Sequence, residues 1–219
     1  MNIVSIVLLI VLIFLSFLIP IFLRRHVWKK LSLAIDQEDF NDYFKTLDSF
    51  MSKLSFPAYY RENIRLSAYI TQNKESMVKK QVRFMIEEMN LKPEEKIQVL
   101  EKAFYYFMDK KDGKEAFDIL CKIQAMNSKK YDSMKIEYEI LIEKKANYID
   151  ELKKQIEQIE INKGKVGQEE QNIIIGYYKY LIGLQYGYLQ NNGEKKRFLS
   201  EALKLCEGTG YENQIKKQM

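Results

Sequence analysis

Only three prolines, nine glycines, two cysteines and one histidine occur in the 219 residues. So few helix breakers leave long helices largely uninterrupted. A single histidine, His26, excludes a multi-histidine metal site, and its place beside Arg25 sets it far from any cleft where a general base would work. Cys121 and Cys206 lie far apart and in no CxxC pair. Both fall in apolar helical settings, so buried free thiols are expected, as a reducing cytosol allows; a disulfide stays open on sequence alone. No P-loop, GxGxxG, HExxH or GxSxG pattern occurs. The acid pairs Glu87-Glu88, Glu94-Glu95 and Glu169-Glu170 are adjacent, and neighbouring helical residues point roughly 100° apart, so they do not converge as catalytic carboxylates. No catalytic, cofactor-binding or metal-binding residue is assigned, no cofactor is expected, and the chain is expected not to be an enzyme. An enzyme whose site no motif reveals is the rival.

Charge is also missing where it matters most. From Ile3 to Leu23 no charged side chain occurs, and the only polar ones are Ser5 and Ser16. At about 1.5 Å per residue, a helix of that length spans the roughly 30 Å hydrocarbon core of a bilayer. Arg24, Arg25, Lys29 and Lys30 follow, with no acid before Asp36. The run is too long for a signal-peptide core, and no small-residue cleavage triplet closes it, so a retained anchor is expected over residues 1–25; the alternative is a cleaved signal. By the positive-inside rule the N-terminus faces out and the C-terminal domain is cytoplasmic, at the plasma membrane of a bacterium in the expected setting. The four cations should draw anionic lipid headgroups. Trp28, the only tryptophan, is either an interfacial anchor or a packing residue of the first domain helix.

The formal charge is +5, and the juxtamembrane cations carry most of it. The remainder is nearly neutral with acids and bases interspersed, which argues against a nucleic-acid partner. About ten further helices are predicted, over residues 26–37, 39–54, 57–72, 74–89, 93–109, 113–126, 129–145, 147–161, 168–190 and 194–207, and almost no strand. Pro57 and Pro93 suit first helical turns. Asp112-Gly113 and Asn191-Asn192-Gly193 read as turns, and 164–167 as the most loop-like stretch. The run from Ile173 to Leu189 is apolar, but Lys179, Gln185, three glycines and five tyrosines mark it as a buried helix of a hairpin rather than a second span.

Paired off, these helices make about five antiparallel hairpins whose first helices recur about every 36 residues, a period of helical-hairpin solenoids. Ile182, Gly183 and Tyr186, then Leu199, Ala202 and Leu203, resemble the two-helix pattern of the tetratricopeptide repeats. Leu100, Ala103, Phe104 and Phe107, followed by Ala116, Leu120 and Ile123, resemble it too. Leu66 and Tyr69 with Val78, Val82 and Met85 carry it in part, and Ile149, Leu152, Ile156 and Ile159 keep only the periodicity. The family's early tryptophan and closing proline are missing at the matching positions. The expected fold is thus all-α, a tetratricopeptide-like solenoid over residues 26–210 behind one transmembrane helix, with a tail at 211–219.

The resemblance implies a concave groove, lined by the first helices, that holds a protein or peptide partner. By register Tyr60, Asn63, Tyr105, Met108, Tyr177, Tyr180 and Leu184 would line it. Tyrosine suits such a surface because the ring buries area while the hydroxyl finds a partner. The same tyrosines would equally serve as packing between helices. The expected function is a membrane-tethered scaffold or assembly factor. The alternative is an accessory subunit of a membrane complex, with the transmembrane helix making the main contacts.

Overall fold

Among the described residues, twelve α-helices and one π-helical turn account for most of the chain, and no strand occurs. The computed structural model describes residues 3–161 and 167–219, with side chains left out at 3–17 and 19. The chain divides into two compact units, Met1–Ala103 and Phe104–Met219.

In the first unit α1 (Ile3–Asp36) runs unbroken through Pro20, so the apolar run and the first domain helix are one rod. Val27, Leu31 and Ala34 recur at helical spacing on its C-terminal part and are buried against Tyr43, Leu47, Phe56 and Ala68. Among the described residues no helix is long and apolar enough to cross a membrane. The span expected at 3–23 falls mostly on residues whose side chains lie outside the described ones.

The helix expected over 39–54 is two helices, α2 (Phe40–Asp48) and α3 (Phe50–Ser55). Ser49 takes extended backbone between them, and its Oγ accepts from the Ser52 N–H at 3.2 Å, so local capping outcompetes helix continuation. Next come α4 (Ala58–Thr71) and α5 (Glu75–Arg83), and the latter widens into the π-helical turn Phe84–Glu88. Arg65 ties this unit together: it pairs with Asp48 and with Glu62 (2.9 Å), and lies over the Phe44 ring. Then follows α6 (Pro93–Asp109), with Pro93 in the first turn and Glu95 reaching back to the Lys92 N–H at 2.9 Å.

The second unit holds α7 (Gly113–Ala125), α8 (Tyr131–Leu141), α9 (Ile149–Ile161), α10 (Gln168–Tyr188), α11 (Asn192–Leu205) and α12 (Glu212–Lys216). Its core is built on α10, whose Ile175, Leu181, Ile182 and Leu184 pack with Ile140, Leu152, Ile156, Leu199 and Ala202. Three glycines let α11 approach. A Cβ on Gly176 would stand 2.5 Å from Cys206 Sγ, and one on Gly183 would stand 2.8 Å from Leu199 Cδ2; Gly187 faces Lys195. Each step along α10 is matched by an equal step back along α11, which fixes the antiparallel register. Gln185, fully buried, accepts from the Tyr148 N–H at 2.8 Å and donates to Leu181 O at 3.3 Å. Residues 211–219, read from sequence as a tail, instead contain α12, and Ile215 is buried beneath it. Of the two thiols only Cys206 is buried; Cys121 is exposed, and both are free. Within the stretch read as a loop, 164–166 lies outside the described residues, and Gly167 caps α10.

Four helix-to-helix connections share one geometry. Glu38, Asn73, Lys111 and Gln190 each adopt φ near +56°. In each turn the following N–H reaches five residues back: Asp39 to Ala34, Lys74 to Tyr69, Asp112 to Phe107 and Asn191 to Tyr186, at 2.9–3.0 Å. These are Schellman closures that also start the next helix, and Asp39, Asp112 and Asn191 cap it with a side-chain oxygen. The first three such turns lie about 35–38 residues apart. The connection from α8 to α9 departs from the pattern: it spans 142–148 and is tied by the Tyr148 hydroxyl to Glu139.

Candidate functional site

Two surfaces gather the residues singled out from sequence, one on each unit. On the first, α4 and α6 run side by side and are laced by polar contacts. The Tyr59 hydroxyl donates to Gln98 Oε1 at 2.7 Å, and Lys102 Nζ donates to Asn63 Oδ1 at 2.7 Å and Ser67 Oγ at 2.9 Å. Tyr59–Gln98 and Asn63–Lys102 have the same sequence separation, 39 residues, so the two helices are parallel. Lys102 is half-buried, and desolvation lowers its pKa. Asn63 therefore stands on this face, already bonded within it.

The second unit repeats the device with a carboxylate. Glu137 of α8 accepts from the Tyr105 hydroxyl on one oxygen (3.1 Å) and from the Tyr177 hydroxyl on the other (2.7 Å). Tyr105 is on α6 and Tyr177 on α10, so three helices meet at one side chain. The Tyr211 ring lies 4.8 Å from that of Tyr177, centroid to centroid, and closes the cluster. Burial, and then the Glu137 charge, push the Tyr177 hydroxyl well above its ordinary pKa. Burial and Glu137 push Tyr211 up as well. The Tyr177 hydroxyl, kept protonated, is thus held as a donor to the Glu137 carboxyl. Tyr105 remains exposed.

Three expected groove residues are placed otherwise. Met108, Tyr180 and Leu184 are each at most 8% exposed and belong to the interior. The reason is enclosure: α8, α9 and α11 pack around α10, so Tyr180 and Leu184 are buried together with Leu181 and Ile182 on other sides of the same helix. Glu137 and Tyr211 were not anticipated. A signal for Glu137 existed, since it sits 32 residues after Tyr105 and 40 before Tyr177, one repeat length from each.

Tyr60 stands apart from the other groove candidates. It stacks on Phe56 at 5.2 Å and tilts toward Trp28 at 6.5 Å. These three rings, with Pro20, Ile21, Arg24 and Arg25, line an open cavity of about 550 Å³ beside α1. Trp28 also meets Phe56 edge-on at 6.4 Å, so it packs within the first unit while staying half exposed. Arg24 donates from Nε and Nη2 to Ser55 O at 3.3 and 3.2 Å and lies over the Phe56 ring. Arg25, Lys29 and Lys30 are exposed.

Among the described residues no group of three or more His, Cys, Asp and Glu side chains is placed to hold a metal ion. No family model, curated protein or solved structure matches the chain.

Proposed function

We propose that this protein is a membrane-tethered interaction module: a single N-terminal span holds a tetratricopeptide-like helical array in the cytoplasm, where it captures a protein partner without catalysis. The observation that carries the reading is the lacing of successive first helices at one-repeat separation, α4 to α6 through Asn63 and Lys102, and α6 to α8 to α10 through Tyr105, Glu137 and Tyr177. Within each unit, first helices laced side by side supply the kind of inner face that a hairpin solenoid presents. The exposed Tyr105 ring, with Tyr177 and Tyr211 behind it, offers such a face aromatic area at low entropic cost. Tethering raises the module's effective concentration near membrane-bound targets.

The uninterrupted apolar run ahead of Arg24 and Arg25, continuous with a helix that packs into the first unit, supports the anchor. The alternative, a subunit whose span makes the main contacts, is separated by experiment. The full chain is purified from solubilised membranes with its bound proteins, alongside Tyr105→Ala and a chain whose residues 3–23 are replaced by an unrelated apolar helix. Loss of a stoichiometric partner with Tyr105→Ala, and its retention after the swap, is the expected result. Retention with Tyr105→Ala and loss after the swap establishes the alternative instead.

A further inference from the structure

The cavity beside α1 has a chemistry of its own. Pro20, Ile21 and the Phe56 ring give it an apolar lining, Arg24 and Arg25 give it two guanidinium groups, and Trp28 and Tyr60 complete it. Its volume of about 550 Å³ lies within the range of small-molecule sites, about 300–1,000 Å³. The apolar wall continues directly into the exposed Leu18 and Phe22, toward the N-terminal run.

Two further features give the surface around this cavity the chemistry of a headgroup region. The bond from Arg24 to Ser55 O sets the end of α3 beside the first cation after the apolar run. On α3, Phe50, Met51 and Leu54 are exposed together, Phe50 by 74%, with Lys53 among them. Exposed apolar side chains interleaved with lysine and arginine, and flanked by tryptophan and tyrosine, match the composition of a bilayer interface.

We propose that the cavity binds one anionic phospholipid, its phosphate on Arg25 and Arg24 and the upper part of an acyl chain along Ile21 and Phe56. This rests on the anchor reading above. Arg24 is held over the Phe56 ring and bonded to Ser55 O, and it lines the pocket; Arg25 makes no ion pair among the described residues. A guanidinium pair suits a phosphate because its planar fork donates two parallel hydrogen bonds. The opposite charge of the headgroup distinguishes it from a neutral lipid.

The full chain, purified in a neutral detergent, is doped with phosphatidylglycerol or phosphatidylcholine and examined by native mass spectrometry. The expected result is one retained phosphatidylglycerol, at least fivefold over phosphatidylcholine, lost in Arg25→Gln and kept in the charge-matched surface control Lys122→Gln. Arg25 is exposed and outside the core, so its variant tests the site without unfolding it; Arg24→Gln is read only where the circular-dichroism melt is unchanged. Equal retention of both lipids, or retention untouched by Arg25→Gln, overturns the proposal. So does displacement of the lipid by millimolar inorganic phosphate, which would mark a free-phosphate site. Carbonate washing of membranes separates the two layers of the reading. A chain that resists carbonate yet shows no lipid preference sinks the lipid site alone; a chain released by carbonate sinks the anchor and the lipid site with it.

Discussion

In the unit made by Met1–Ala103, large apolar side chains stand in solvent at one end: Trp28 beside α1's cations, and Phe50, Met51 and Leu54 on a six-residue helix. In the unit made by Phe104–Met219 the most apolar helix, α10, is the one enclosed, with α8, α9 and α11 around it. Both contain helix pairs closed by the same left-handed turn, at Glu38 and Asn73 in the first and at Lys111 and Gln190 in the second. They differ in what an apolar residue is for. In the second unit most are removed from water by a neighbouring helix, and exposed ones such as Phe117, Ile161 and Leu189 belong to different segments. In the first, several are left over after the helices have packed, and they cluster next to arginine and lysine. Leftover apolar area of this kind marks an interaction surface rather than a core.

The largest expected effect tests that contrast directly. Leu181→Ala empties a fully buried site in the second unit and should cost about 2–5 kcal/mol, while Leu54→Ala, on the exposed face of α3, should stay within about 0.5 kcal/mol. Chemical denaturation of each variant reads the difference, and a comparable loss for Leu54 would mean that α3's exposed face is structural.

Next in size is Gly183→Leu, which forces a side chain into the space held by Leu199 and should cost about 1–3 kcal/mol. An unshifted melting temperature would show that α10 and α11 do not approach in this register.

Alkaline pH should also separate the units. Burial pushes Tyr43, Tyr148 and Tyr180 up to about 12, with Arg65 opposing the shift at Tyr43 and Glu139 reinforcing it at Tyr148. In the unfolded chain tyrosine ionises near pH 10. Between about pH 10 and 12 the folded state therefore binds more protons than the unfolded one. The stabilisation is complete below pH 10 and is lost as pH rises toward 12. With Tyr148, Tyr177 and Tyr180 all in the second unit, hydrogen exchange should show that unit loosening first. Equal loosening of both would argue that these hydroxyls are solvated.

The smallest effect concerns the shared turns. Gln190 and Lys111 hold left-handed backbone that costs an L-residue about 1 kcal/mol, so Gln190→Gly should stabilise the second unit by about 0.5–1 kcal/mol, the gain being trimmed by glycine's larger unfolded-state entropy. A loss on thermal melting would mean that the glutamine side chain contributes something the turn geometry does not explain.

Several of these features were readable in advance. Helix spacing, the paucity of proline and glycine, and the recurrence near 36 residues placed most helices within a few residues, because apolar periodicity is a local property. Four boundaries were not readable. Ser49 splits a helix by capping its own successor. The π-helical turn at Phe84–Glu88 carries no composition signal. Tyr211 and Ile215 look like a tail until α12 packs. The left-handed turn residues are Glu, Asn, Lys and Gln, and no glycine marks them. Among the groove candidates, Asn63, Tyr105 and Tyr177 occupy polar cross-links between first helices, whereas Met108, Tyr180 and Leu184 are interior; Tyr177 and Leu184 share a helix face, so what packs opposite each level of the helix separates the two outcomes.

What the amino-acid sequence determined by itself is therefore the class of element, the approximate period, and the abrupt change from an uncharged run to four cations at Arg24–Lys30. These follow from side-chain chemistry and spacing along one strand of chain. Only the tertiary structure decided that Glu137 would join Tyr105 to Tyr177, and that Arg24 would lie against Phe56 beneath Trp28 and Tyr60. Such meetings depend on how far each helix is rotated about its axis when it packs, and that rotation is set by the close approach of glycines and the fit of buried side chains, which no window of sequence contains.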